Sequence, residues 1–448
     1  MKWPLLFCIV LAQLFLIAAN SCLAAAVNPD THWSGDVEIE SPFEVPIGNR
    51  LEIDAGTRVI FKSPLASLLV SGELIVSGSP KHPVIFVGIP GATAISFLEK
   101  SLGEITNATF SQFDFAVLAA GHSLNVDKSS FSGCGQALRL LKGVNADISA
   151  SLFENNRIGL NIEMRTFTRV SGNIFKHNSE YGISIGSGGS GLVIENSFQM
   201  NNIAILMLRN KTGEIYRNSF EGNKIGINAI QSGGKIQIIG NSFNNNDLSI
   251  SGESYAYPEI SGNNFVENLI AIEGKQYFYG YITHNVFERN GTSLQLTKRS
   301  FPEVSFNSFV GGKLSIFLDY SSYPKVNFNN FEMADNIVRL GMHQSADWEA
   351  REGSSSLVFK RRQDNQKGNA EKQDVRVPIQ EELDFTRNWW GRDNIERLKA
   401  REPNQDFLFD RRDLAYLTFE SNKTEKYKLD LINFEPWEDS PVAGAGQQ

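Results

Sequence analysis

Residues 218–227 read "NSFEGNKIGI", and these ten letters decide the fold. With Phe220 as zero, Phe recurs at 110, 131, 153, 175, 198, 220, 243, 265, 287, 309 and 331, in steps of 21 to 23 residues. Asn stands two before the Phe in eight successive units, from Asn173 to Asn329, and three after it in seven, from Asn156 to Asn290. Ile recurs five and seven after it (Ile203/Ile205, Ile225/Ile227, Ile270/Ile272), and Ile or Val five before it (Ile260, Ile282, Val304, Val326). Near-equal steps of this kind describe one unit stacked on itself. β-Branched residues two apart argue short strands with one buried face. Helical solenoids use longer repeats rich in Ala and Leu. Three strands and three turns fill such a unit, and winding it sets each strand beside its copy at roughly 4.8 Å. Phe then stacks on Phe inside. Asn at the bends is expected to accept a left-handed conformation and to bond its neighbour's amide, forming ladders along the axis.

The "N-x-F-x-x-N-x-x-x-I" pattern from Asn218 to Ile225 resembles the right-handed parallel β-helix superfamily, that is, pectate-lyase-like proteins and periplasmic repeats of carbohydrate-binding and sugar-hydrolase type. The resemblance covers about residues 35–340. It implies an all-β, single-stranded right-handed parallel β-helix of roughly 14 coils with capped ends. For activity it implies little, because one fold hosts lyases, hydrolases, epimerases and adhesins.

Working outward, residues 1–26 read as a signal peptide: Lys2, an apolar run from Leu5 to Ala19, and Ala24-Ala25-Ala26 for cleavage. Export to the periplasm or beyond follows, with no membrane span after cleavage; lipidation at Cys22 is an open alternative. Residues 27–44, with Trp33, are expected to form an N-terminal cap over the exposed sheet edge, and 45–342 the β-helix. Residues 343–380, with "KRRQDNQKGNAEKQDVR", read as a polar excursion, either a loop or a hairpin of "SLVFKRRQ" with "KQDVRVPI". At 381–438 the unit returns, Asn388 in the Asn slot and Trp390 in the Phe slot, as last coil and C-terminal cap. Residues 439–448 are expected to be a disordered tail.

Forty-two Lys and Arg against 50 Asp and Glu give a net charge of −8, which argues against nucleic acid and anionic membranes as partners. Signal cleavage leaves Cys134 as the one thiol, read as a small buried residue in an Asn slot. No cofactor is expected. His177 and His284 lie five coils apart, and the other four histidines lack Cys or carboxylate spacing around them. The resemblance to periplasmic accessory proteins of copper-enzyme assembly is therefore one of repeat type.

One stretch departs from the repeat. Eight before the Phe stand Tyr257, Tyr279, Phe301 and Tyr323; six before it stand Glu259, Tyr281, Glu303 and Lys325; Tyr255 and Tyr277 extend the aromatic column. Earlier units carry Ser190, Thr212 and Lys235 in the aromatic slot. Alternation puts both columns outward on one face. Such a face suits pyranose rings, and equally an aromatic ladder that only stabilises the coils. Glu259, Glu303 and Lys325 are the catalytic candidates, the two acids two coils apart with Tyr281 between them. The expected function is polysaccharide binding without assured catalysis. The alternatives are a polysaccharide lyase, hydrolase or epimerase, and a structural or protein-interaction scaffold that meets an envelope partner through 343–380.

Overall fold

A computed structural model describes residues 31–351 apart from 122, 142, 234 and 335, then 380–400 and 406–446 apart from 420 and 421. The expected hairpin within 343–380 lies outside the described residues, as do the signal segment and His122.

The chain is a parallel β-solenoid. Every third strand joins the same sheet: A runs in 14 strands from Thr31–Trp33 to Lys325–Asn327, B in 14 from Asp36–Ile39 to Asn330–Glu332, and C in 15 from Phe43–Val45 to Leu408–Phe409. Sheet B carries the Phe column. Phe86 stacks on Phe110 at 4.4 Å, and the pile continues ring on ring to Phe309–Phe331 at 4.8 Å. Trp390 closes it 5.1 Å from Phe331, in the slot read for it. Each stacked pair adds about 0.5–1.5 kcal/mol beyond its buried area.

Both Asn columns are buried ladders. The Asn196 backbone N–H donates to Asn218 Oδ1 (2.9 Å), while its Nδ2 donates to the same oxygen (3.0 Å) and to Val170 O (2.9 Å). The second ladder repeats this, Asn223 donating twice to Asn246 Oδ1. The turn groups that a sheet would leave open are thus satisfied by the next coil. One detail differs from expectation. Positive φ belongs to the residue before each Asn, such as Arg217 (φ 52), Gly240 (φ 65) and Phe306 (φ 55). The bend is made there, which frees the Asn amide to point along the axis.

The ends differ from the sequence reading. Residues 31–45 form the first coil itself, Trp33 pairing with Ile53 and Phe43 with Leu68, so the cap assigned to 27–44 is a coil over its described part. Residues 343–351 belong to the C-terminal cap. Helix α1 (Ala346–Arg351) sits beside the hairpin Tyr416–Phe419/Asn422–Lys428, and Ser345 Oγ donates to Lys428 O at 2.6 Å. Helix α2 (Arg392–Lys399) follows Trp390. The terminal segment is docked where disorder was expected: Val442 N–H donates to Asn330 Oδ1 (2.8 Å) and Gly446 N–H to Phe306 O (2.8 Å).

Candidate functional site

The aromatic stretch begins where the turn into sheet A widens. Pairs of successive residues take positive φ there: Ser254/Tyr255, Gln276/Tyr277, Lys298/Arg299 and Tyr320/Ser321. Phe278 then turns inward and is fully buried, in space that only Gly252 and Gly274 leave open; a Cβ on either would meet its ring at 2.4 Å. Its neighbours Tyr277 and Tyr279 are thereby turned outward.

Two stacks result. Tyr255 and Tyr277 lie 4.8 Å apart at 1°, and Arg299 donates to the Tyr277 hydroxyl at 2.7 Å. Tyr257 stacks on Tyr279 at 4.8 Å, and Tyr279 on Phe301 at 5.4 Å. The faces of the interior rings are therefore turned to one another, and edges and hydroxyls meet solvent. Burial raises the Tyr255 and Tyr279 phenols above the ordinary value, with neighbouring tyrosines adding to it, so both stay hydrogen-bond donors at neutral pH. Tyr323, counted in the same column from sequence, is 7% exposed and lies beside Asp430 under the cap. The outward column ends at Phe301.

On sheet A, Glu259, Tyr281, Glu303 and Lys325 are direct lateral partners in consecutive coils. Tyr281 separates the two acids and is 55% exposed. Glu259 Oε2 accepts from Gln237 Nε2 at 3.0 Å, and Gln237 accepts from the Tyr216 hydroxyl. The acids are thus parts of a polar row along the axis.

A second aromatic column flanks the row on its other side. His284 stacks on Phe306 at 5.3 Å, Phe306 on Phe328 at 5.5 Å, and Arg387 lies 5.8 Å over Phe328. All four take positive φ at the bend before the Asn, where earlier coils carry Lys128, Ala150, Gly172 and Glu195. Sequence reasoning missed this column, although its constant offset of three before Phe287, Phe309 and Phe331 was the available signal. The three columns together make a trough along the solenoid: a polar floor between two aromatic walls. Toward the C-terminal end it opens into a cavity of about 350 Å³, lined among others by Glu303, Phe306, Lys325, Phe328, Asp384 and Arg387.

With this geometry in place, the comparison with known families is informative. Residues 93–257 match the family model NosD, described as a periplasmic copper-binding protein. The match agrees with the right-handed β-helix resemblance and with export to the periplasm. It covers just over a third of the chain and ends at residue 257, in the coil where the stacked outward aromatics begin. No curated protein and no solved structure matches the chain. Among the described residues, no helix is long and apolar enough to cross a membrane.

Copper is held by Cys, Met and His ligands. Among the described residues no group of three or more His, Cys, Asp or Glu is gathered that could hold a metal ion. His177 and Met200 share a turn position in adjacent coils, which is a pair and not a set. His32 is held by Glu52, His284 by its stack on Phe306, and His343 by Asp319 with a stack on Tyr320. Cys134 is buried, and that burial pushes its thiol up to about 11, far from the thiolate a metal needs.

Proposed function

We propose that the protein is an exported β-solenoid that binds an extended polysaccharide along the trough of coils 255–328. The observation that carries this reading is the locality of the trough. Interior Phe and Asn repeat through most of the solenoid, and a single exposed aromatic such as Phe167 occurs in an earlier coil, yet among the described residues stacked outward aromatics on both sides of one polar row occur in these coils alone. The trough runs along the axis at one coil per step of roughly 4.8 Å, so it suits a linear polymer. Tyr hydroxyls and the Glu259–Lys325 row offer donors and acceptors to sugar hydroxyls. The exposed ring of Tyr281 offers an apolar face on the floor, as ligand sites combine aromatic walls with a few placed polar groups.

Hydroxyl-radical footprinting of the protein with and without a retained glycan tests this. Protection is expected at Tyr281, Tyr279 and Phe306 and not at the exposed Phe167. Protection spread evenly along the solenoid, or confined to the cap, would count against the trough.

A further inference from the structure

We infer that the cavity at the C-terminal end of the trough is a subsite for an anionic sugar residue, one bearing a carboxylate, sulfate or phosphate, held by Lys325 and Arg387. The inference rests on the polysaccharide reading and adds the chemistry of the ligand.

Several cations of the solenoid are paired with an acid of the coil next door: Lys275 with Glu253, Arg289 with Glu267, Arg157 with Glu180. Lys325 and Arg387 line one cavity, and among the described residues neither has an ion-pair partner. Asp384, an acid in the same lining, is already engaged. Its Oδ1 accepts from Asn327 Nδ2 (3.0 Å), Thr386 N–H (3.2 Å) and Thr386 Oγ1 (2.8 Å).

Those contacts also fix the Asn327 amide. Asn327 Nδ2 also donates to Thr386 O (2.9 Å), so the amide is held with its NH₂ committed. Its Oδ1 is left buried without a hydrogen-bond partner, on a residue only 6% exposed that lines the cavity. An orphaned buried acceptor is costly, and a ligand hydroxyl that reached it from the cavity would relieve it. Arg387 lies over Phe328, a placement that leaves its N–H edge to approach an anion bidentately. The site therefore offers two cations for an anionic substituent, Asn327 Oδ1 and Glu303 as acceptors for hydroxyls, and the Phe306/Phe328 wall for the ring. Because the chain as a whole carries −8, its long-range field repels polyanions, and any preference for charge has to come from these local contacts.

The test is an array of neutral oligosaccharides, each paired with counterparts carrying carboxylate, sulfate or phosphate groups, probed with wild type, Lys325→Gln, Arg387→Gln and Tyr281→Ala. Lys325→Gln is the deciding variant, since its side chain is exposed and unpaired, and melting curves confirm that each variant is folded. Retention of one or more anionic members over their neutral partners is expected, reduced about tenfold or more in Lys325→Gln and Arg387→Gln. The substituent on the retained members says which anion is read. Equal retention of neutral partners, or retention indifferent to Lys325→Gln, overturns the subsite and leaves the trough standing. Silence across the array overturns the trough and the subsite together.

Discussion

Coils 145–246 and coils 255–331 are the same structure inside and different structures outside. In both, Phe stacks on Phe and Asn bonds to Asn at near-constant distances: Phe198–Phe220 at 4.9 Å against Phe287–Phe309 at 4.7 Å. The outward middle of sheet A reads Asp147, Arg169, Leu192, Glu214 and Gln237 in the first region and Glu259, Tyr281, Glu303 and Lys325 in the second. The bend before the Asn slot holds Ala150, Gly172, Glu195, Arg217 and Gly240 in the first region, and Gly262, His284, Phe306 and Phe328 in the second. The family match covers the whole of the first region and stops at residue 257. Inward positions answer to the solenoid, which repeats. Outward positions are free of it, so a local departure there calls for its own explanation.

The comparison breaks most readily in the core. Phe220→Ala and Phe287→Ala should each cost about 3–5 kcal/mol, by chemical denaturation, and should cost the same within error. A large difference would mean that the two regions do not share one interior.

The C-terminal region should also carry a pH dependence that the first region lacks. Burial pushes the Asp430 carboxyl up to about 7, against the hydrogen bonds from Ala346 N–H (2.7 Å) and Gln344 Nε2 (3.0 Å) that favour its charged form. In the unfolded chain the group titrates near 3.9. Between about pH 4 and pH 7 the folded protein keeps a proton that the unfolded chain releases, so stability falls as pH rises through that window. Across the whole window the loss comes to about 4 kcal/mol. Asp430→Asn should flatten the fall of melting temperature over this range; an unchanged slope would place the titration elsewhere.

Smaller effects follow in the ladders. Asn218→Ala and Asn285→Ala each orphan the donors of the coil before, from Asn196 and Asn263, and should cost about 1–3 kcal/mol apiece. Equal costs sharpen the view that the turns, like the core, are uniform.

What the sequence disclosed follows the same division. The Phe and Asn spacing was legible because each identical side chain must meet its copy, and the register it implied holds through Asn388 and Trp390. The floor row was legible because alternation along a strand is rigid, and Glu259, Tyr281, Glu303 and Lys325 stand as read. Tyr323 was misplaced because it lies buried beside Asp430, more than a hundred residues on, a neighbour that no local period signals. The second wall was overlooked because its residues sit at positive φ, where aromatic side chains are not looked for. The docking of the tail rests on the Asn330 amide bonding both the N–H and the C=O of Val442, a pairing that a run of small residues does not announce.

The most direct test of the central claim uses two exposed aromatics from sheet A, one in each region: Tyr281, 55% exposed, and Phe167, 56% exposed. Neither supports the core, so either change to Ala should alter stability by less than about 0.5 kcal/mol. Affinity electrophoresis in gels carrying a retained polysaccharide would compare Tyr281→Ala and Phe167→Ala with wild type. The account predicts that Tyr281→Ala runs as if the polymer were absent and Phe167→Ala runs as wild type. Equal retardation of all three, or loss in Phe167→Ala alone, would contradict it.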